Sequence, residues 1–255
     1  MGLNQKILFL GFGRAADEVF RKHISPNYNS HQVMIISYDL PENRSFLNSL
    51  KELGFSYILK SIKDESLFKE ASDFKPDYIL SIHFRDLIPK RYLDLSPGQA
   101  MNVHPSLLPK HAGCFATMWA IIDGDEETGV SYHLMNDKFD EGNILHQKKI
   151  TNLKSQTGET LYNKAIDVAV EEFPIAFELL KQGFKGQSQF GQGSYHNRKI
   201  PFAGKIDLSW SDEQVERFIR AMHFTGKQGA LVESKYGIKE VRTFEEFLVL
   251  KGNNT

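Results

Sequence analysis

The first 150 residues of the chain alternate short apolar runs with stretches in which apolar residues recur at helical spacing. The runs are continuous rather than alternating, which is typical of strands buried on both faces of a parallel sheet. We predict strands at 6–10, 33–37, 56–59 and 78–83, and helices at 15–22, 45–53 and 65–74. This order predicts an α/β fold with a doubly wound, mainly parallel sheet. Ligands of such sheets bind beyond the carboxyl ends of the strands.

Two more strands are predicted at 129–135 and 142–148, and a long helix at 160–182. Pro174 lies inside that helix, and because proline has no backbone N–H we expect it to kink or divide the helix. Residues 183–193 are rich in Gly, Gln and Ser, the composition of a connector between packed units.

The connector divides the chain into a larger domain at 1–183 and a small C-terminal α+β unit at 184–255. Within the second unit, Ser211 and Gln214 have the spacing of a capping box and predict a helix that runs to Met222.

Charge and composition narrow the classes of partner. The chain has 31 Lys and Arg against 32 Asp and Glu, so no net charge favours nucleic acid or a membrane surface. The longest apolar runs are far too short to span a bilayer. Cys114 is the only cysteine, and the first residues have no signal-peptide pattern. We expect a cytoplasmic protein that binds neither nucleic acid nor membrane.

The stretch MNVHPSLLP at 101–109 carries the candidate chemistry. We predict that Asn102 and His104 lie two residues apart at the end of a further strand, so that their side chains point the same way. The prolines around them stiffen the loop that follows. A carboxylate from Asp140, in the loop before the next strand, could meet the imidazole. An amide, an imidazole and a carboxylate together suit acyl transfer to an amine, with no covalent nucleophile.

The chain resembles the 10-formyltetrahydrofolate-dependent formyltransferases at these residues and at three further motifs. The further motifs are the WAI run at 119–121, the GV pair at 129–130 and the DEGNI run at 140–144. The resemblance is strong over residues 75–150. It implies a Rossmann-like formyltransferase domain in which Asn102, His104 and Asp140 are catalytic. It also implies 10-formyltetrahydrofolate as formyl donor, and we expect no metal. The folate-binding residues that it implies are Ile82, His83, Phe84, Arg85, Leu87, Met135, Asp137 and Phe139.

The runs YHNRKIP at 195–201 and GKIDLSW at 204–210 are similar to the sugar nucleotide N-formyltransferases. This similarity implies as acceptor an amino-dideoxy sugar, with its amine at carbon 3 or 4, carried on dTDP or a related nucleotide. The sugar would be formylated for surface polysaccharide such as the lipopolysaccharide O-antigen. The similarity also implies that the C-terminal unit serves acceptor binding or homodimer formation. The candidate acceptor-binding residues are Arg14, Lys110, His111, Tyr195, Arg198 and Phe202.

Two other functions stay open on the sequence. The first is methionyl-tRNA formyltransferase, although residues 151–255 hold 14 Lys and Arg against 13 Asp and Glu, a net +1 where a tRNA-binding unit needs a basic face. The second is a folate or nucleotide sensor that keeps the pocket without catalysis. The presence of all three candidate catalytic residues disfavours the sensor.

Overall fold

The computed structural model describes residues 5–235 and 237–252. The residues form two compact units that interleave along the chain. Of these described residues, unit 1 comprises 5–104, 131–148 and 166–191, and unit 2 comprises 105–130, 149–165, 192–235 and 237–252. The division into a catalytic domain at 1–183 and a C-terminal unit at 184–255 stays a prediction.

The strands are β1 (Ile7–Gly11), β2 (Val33–Ile36), β3 (Tyr78–Ile82), β4 (Ala100–His104), β5 (Ala112–Gly113), β6 (Glu127–Leu134), β7 (Ile144–Thr151), β8 (Tyr195–His196), β9 (Ala230–Ser234) and β10 (Gly237–Val241). The helices are α1 (Gly13–Val19), α2 (Arg44–Glu52), α3 (Glu65–Phe74), α4 (Lys90–Leu93), α5 (Ala116–Ile122), α6 (Gly158–Lys181), α7 (Asp212–Ala221) and α8 (Phe244–Gly252). Helix α1 continues into a π-helical segment, Phe20–Ile24.

The central sheet has six strands in the order β2-β1-β3-β4-β6-β7. Strands β1 to β4 are parallel, whereas β6 runs antiparallel to β4. The mainly parallel, doubly wound α/β fold predicted from the sequence is therefore confirmed. Every residue of β1 and β3 is buried, as the continuous apolar runs predicted.

Alternate residues of β1 serve opposite faces of the sheet. On one face, Leu8 and Leu10 belong to a core cluster that includes Leu67 of α3 and Tyr92 of α4. On the other face, the ring of Phe9 lies 5.3 Å from that of Phe20, the first residue of the π-helical segment. Both faces are thus covered by helices, which fixes the sheet as the scaffold of unit 1.

Two predicted elements differ from the structure. The predicted strand at 56–59 is reduced to one parallel bridge, between Ile36 and Ile58. Helix α6 is not divided by Pro174 but continues to Lys181. In the described residues 5–235 and 237–252, no helix has both the length and the apolar character required to cross a bilayer.

Unit 2 contains its own small elements. Strands β5 and β8 pair in parallel, and β9 and β10 form an antiparallel hairpin. Helix α7 begins at the predicted capping box: the side chain of Ser211 accepts from the N–H of Gln214, whose side chain accepts from the N–H of Ser211. Arg217 of α7 donates from Nε to the carbonyl of Ile122, at the end of α5, at 3.2 Å.

Candidate active site

The candidate site of unit 1 is built on the pairing of β4 with β6. Asn102 lies opposite His133, and His104 lies opposite Ser131. Side chains of directly opposed residues lie on one face of a sheet, and residues two apart on a strand share that face. The four side chains therefore point the same way. Gln147 donates from Nε2 to Oγ of Ser131 at 2.8 Å, which adds a contact from the edge strand β7.

The loop between β6 and β7 brings Asp140 to this face. Its Oδ2 is 3.4 Å from His104 Nδ1, and its Oδ1 is 3.3 Å from His133 Nε2. Asn102 Nδ2 is 3.4 Å from the same Oδ1. The structure therefore brings together the three residues that the sequence singled out as catalytic, with His133 as a fourth member.

The backbone around Asp140 has a conformation that few residues accept. Asp140 has φ 56°, in the left-handed region, which aspartate tolerates better than most residues. Two residues on, a Cβ at Gly142 would lie 1.7 Å from the carbonyl oxygen of Leu134. Only glycine fits so close to the end of β6, so Gly142 determines the path by which the loop returns.

Burial makes the electrostatics of the cluster strong. His104, His133 and Asp140 are 4%, 2% and 9% exposed, so the carboxylate faces the imidazoles rather than bulk water. A buried carboxylate in this position can orient the imidazole and stabilise its charged form. Desolvation, together with the nearby His104, lowers the pKa of His83 to about 4, so His83 is neutral near pH 7.

The predicted folate-binding residues lie at the end of β3, where Ile82 is the last residue, and on two loops of unit 1. The first loop follows β3 and is held by Tyr38, whose hydroxyl accepts from the N–H of Arg85 at 3.0 Å and donates to Asp86 at 2.9 Å. Leu87 of this loop is 40% exposed, and Phe139 of the second loop is 44% exposed. Both loops thus present large apolar side chains at the surface of unit 1.

Comparison with known proteins identifies the family. The sequence profile described as formyl transferase matches residues 5–177 of the chain. A GDP-perosamine N-formyltransferase of Brucella melitensis is 35% identical over 222 residues, which cover 87% of this chain and 86% of the relative. The chain belongs to the formyl transferase family. It is accordingly a formyl-transfer enzyme, and the family that the sequence motifs predicted is confirmed.

Two solved structures share the fold of this formyltransferase. A sugar N-formyltransferase from a Shewanella species has a TM-score of 0.76 and 19% identity, and the match covers 93% of this chain and 96% of that one. An N-formyltransferase of Helicobacter canadensis, solved with folinic acid and dTDP-3-aminofucose, has a TM-score of 0.74 and 20% identity, over 89% of this chain and 83% of that one. At these identities the likeness establishes the fold.

The candidate acceptor-binding residues of the formyltransferase are divided between the two units. Arg14 belongs to unit 1, where it pairs with Glu18 at 2.7 Å and with Asp167 at 2.5 Å. The other five, Lys110, His111, Tyr195, Arg198 and Phe202, belong to unit 2. Tyr195 is 61% and Phe202 is 49% exposed, which leaves aromatic surface available to a flat ligand.

His111 and Lys110 are engaged in a polar network inside unit 2. Nε2 of His111 is 2.9 Å from Asp125 Oδ2, and Lys110 Nζ is 2.5 Å from Asp125 Oδ1. Nδ1 of His111 is 3.1 Å from Nε2 of His196, whose ring stacks on Trp119 at 4.2 Å. Desolvation, with His111 close by, lowers the pKa of His196 to about 4. His111 and Lys110 also line a cavity of about 260 Å³ with Asp125 and Glu126.

Sequence reasoning missed His133, Asp125 and His196. His133 lies one residue before the end of β6, and its position opposite Asn102 follows from strand register, which the sequence does not display. The expectation of no metal stays a prediction; among the described residues, no group of three His, Cys, Asp or Glu side chains has a metal-binding arrangement.

Proposed function

We propose that this formyltransferase transfers a formyl group from 10-formyltetrahydrofolate to the amine of a nucleotide-linked amino sugar, with Asn102, His104 and Asp140 as catalytic residues. One observation carries the proposal. An amide nitrogen, an imidazole and a carboxylate meet within 3.4 Å on one face of the sheet. That set supplies a donor for a developing oxyanion and a proton-transfer group held by a carboxylate.

The two loops of unit 1 fit a folate donor. A folate has a flat ring system and a tail of carboxylates, and the donor supplies the formyl carbon that the amine attacks. Exposed Leu87 and Phe139 offer apolar contact to the rings. The guanidinium of Arg85, which lies 5.1 Å from the ring centre of Phe12, is the kind of group that binds carboxylates. We therefore assign the donor to these loops.

The chain's own residues divide the chemistry between them. Nδ2 of Asn102 donates a hydrogen bond to the formyl oxygen as charge develops there. His104 accepts the proton that the attacking amine loses and returns a proton to the departing folate nitrogen. Asp140 orients His104 and stabilises its charged form. One carbon–nitrogen bond forms to the sugar amine and one breaks to the folate, so no oxidant or metal is needed.

Two observations support a sugar nucleotide as acceptor: the similarity to the Brucella relative and the exposed aromatic rings of unit 2. The Brucella relative acts on GDP-perosamine, and it is similar along most of both chains. That similarity puts a GDP-linked amino sugar ahead of the dTDP-linked sugar that the sequence motifs suggested. The exposed rings of Tyr195 and Phe202 in unit 2 are suited to stack on a nucleotide base. The product would serve surface polysaccharide synthesis, from the cytoplasm.

We further propose a homodimer that forms through the C-terminal part. Ile238 of β10 and Val249 of α8 are apolar and 54% and 64% exposed. Exposed apolar side chains on a hairpin and a helix are a common basis of interfaces between copies. Sedimentation equilibrium should give twice the mass of the chain, and Ile238→Asp with Val249→Asp should give the mass of one chain.

Release of tetrahydrofolate by the purified protein tests the function. The acceptor panel comprises GDP-perosamine, dTDP-3-aminofucose, the matching sugars without an amine, and methionyl-tRNA. Turnover with an amino sugar and none with its deaminated match is expected, with the formylated sugar identified by mass spectrometry. Turnover with methionyl-tRNA alone would replace the sugar acceptor. Tight folate binding without turnover of any acceptor would support the sensor. Asn102→Ala serves as the inactive control.

A further inference from the structure

A segment after α6 is docked along the loop that carries Asp140. We name residues 185–189 the strap. Ile144 and Gln187 exchange two backbone hydrogen bonds of 2.8 Å, and Asn143 donates from Nδ2 to the carbonyl of Lys185 at 2.9 Å. The strap therefore belongs to the packed part of unit 1, although its composition predicted a connector.

Close packing fixes the strap at its middle. Gly186 has φ 68°, and a Cβ there would lie 2.8 Å from Cβ of Asn143 and 2.9 Å from the carbonyl oxygen of Ile144. A side chain at this position would push the strap away from the loop. The strap and the loop consequently behave as one local structure.

Gln189, the last residue of the strap, makes two side-chain hydrogen bonds to the loop. Its Nε2 donates to the carbonyl oxygen of Asp140 at 2.6 Å and to the carbonyl oxygen of Gly142 at 2.9 Å. One side-chain amide has two N–H groups, so both donors are used on the same turn. The turn they bridge is the one in which Asp140 has its left-handed backbone.

We propose that Gln189 is a positioning residue for the formyl-transfer reaction, because it holds Asp140 against His104; this inference rests on the proposed function. The carboxylate stays 3.4 Å from His104 Nδ1 only while the turn keeps its conformation. Without Gln189, two backbone carbonyls lose their side-chain donor and the left-handed residue loses its restraint. Displacement of a catalytic group by about 1 Å can cost roughly a hundredfold in rate.

The test compares Gln189→Met with Gln187→Met. Both changes remove a side-chain amide from the strap at similar volume. Gln187 pairs with Ile144 through its backbone, so its side chain is the matched control. We expect kcat for Gln189→Met to fall roughly tenfold to a hundredfold with little change in KM for either substrate, and its pH–rate profile to change shape. Gln187→Met should behave as the unchanged protein.

A second measurement separates this inference from the proposed function. Amide hydrogen exchange at residues 140–144 should speed up in Gln189→Met and not in Gln187→Met, whether or not the acceptor has been identified. Faster exchange without any formyl transfer by the unchanged protein would defeat the proposed function alone. Unchanged exchange, or a raised KM with unchanged kcat, would overturn the positioning role. Gln189→Glu, which has the same shape but donates no hydrogen bond at neutral pH, should match Gln189→Met.

Discussion

Asn102 on β4 and His133 on β6 face each other across the sheet, with Nδ2 of the amide 3.1 Å from Nε2 of the imidazole. Nδ1 of His133 is 2.9 Å from the carbonyl oxygen of Leu134, which can only accept a hydrogen bond. Nδ1 of His133 therefore donates to this carbonyl, and Nε2 faces both the Asn102 amide and Oδ1 of Asp140, the latter at 3.3 Å. Oδ1 of Asp140 can only accept a hydrogen bond and lies 3.4 Å from Nδ2 of Asn102, so the NH2 end of the amide is the end that faces the cluster. His133 and Asp140 together fix the orientation of the amide.

Replacement of His133 should lower the rate of formyl transfer. His133→Leu removes one of the two partners that orient the Asn102 amide, so we expect kcat to fall about tenfold, less than the loss from removing an oxyanion donor outright. His133→Gln, whose side-chain carbonyl can accept from Asn102, should keep more of the rate. Steady-state kinetics with the preferred acceptor measures both variants. Equal rates for His133→Leu and the unchanged protein would refute the orienting role.

Much of the fold followed from local patterns, and the missing parts depended on long-range contacts. The apolar runs located β1 and β3 because strands buried on both faces have no polar positions. The run at 56–59 has the same local character but forms only one bridge beside Ile36. Whether an apolar run joins a sheet depends on the space left at the edge of that sheet, and a local sequence pattern contains no information on this space.

The candidate site shows the same division. Asn102 and His104 could be paired from their spacing, and Asp140 from its motif. His133 and Gln189 could not be predicted, because each reaches the site from an element distant in sequence. The register of β6 against β4 places His133 opposite Asn102, and the docking of the strap brings Gln189 to Asp140. The carbonyl groups that Gln189 binds belong to the backbone, so the residue types at 140 and 142 do not indicate the contact.

Gly142 should be intolerant of substitution. Gly142→Ala places a Cβ at 1.7 Å from the carbonyl oxygen of Leu134, so the loop must move and carry Asp140 with it. We expect a loss of about 1 to 3 kcal/mol in the free energy of unfolding, as for other overpacked sites, and a large fall in kcat. Denaturant melts and kinetics measure the two effects. Gly252→Ala is the neutral control, because no atom of the described residues outside its own helix backbone lies within 4 Å of a Cβ at that position.

His23 compensates for the proline inside α6. Pro174 has no N–H, so the carbonyl of Val170, four residues earlier, lacks its usual helical donor. Nε2 of His23 lies 2.9 Å from that carbonyl oxygen, and the imidazole ring stacks on Phe173 at 5.5 Å. The helix therefore continues past the proline with its carbonyl satisfied. Burial lowers the pKa of His23, while the bond to Val170 opposes the shift.

The lowered pKa of His23 gives its contribution to stability a definite pH dependence. The unfolded chain binds a proton at this residue near pH 6.5, whereas the folded chain binds it only at lower pH. The contribution is therefore fully present above about pH 6.5 and decreases as the pH falls below it. His23→Leu should cost about 1 to 3 kcal/mol at pH 7.5 through the unsatisfied carbonyl, and less at pH 5. Urea melts across this range, with exposed His31→Leu as control, measure it.

Variants of His111 and Asp125 can show whether His111 has a packing role in unit 2 or binds the acceptor. Their side chains are only 1% and 7% exposed, and their facing atoms are 2.9 Å apart. Loss of one partner leaves a buried polar atom of the other without its hydrogen bond, at a cost of about 1 to 3 kcal/mol, although Asp125 keeps its ion pair with Lys110. Loss of both partners removes that penalty. A packing role and a substrate contact therefore predict different results from the same variants.

If the pair is structural, His111→Ala and Asp125→Ala should each destabilise the formyltransferase by about 1 to 3 kcal/mol, and the double variant by clearly less than the two losses together. The KM for the amino sugar should then stay near its original value in any variant that remains folded. Denaturant melts and steady-state kinetics on the same preparations measure both quantities. Additive losses in stability together with a KM raised about tenfold or more would instead assign His111 to the acceptor, because a lost substrate contact weakens binding and leaves no coupling within the pair.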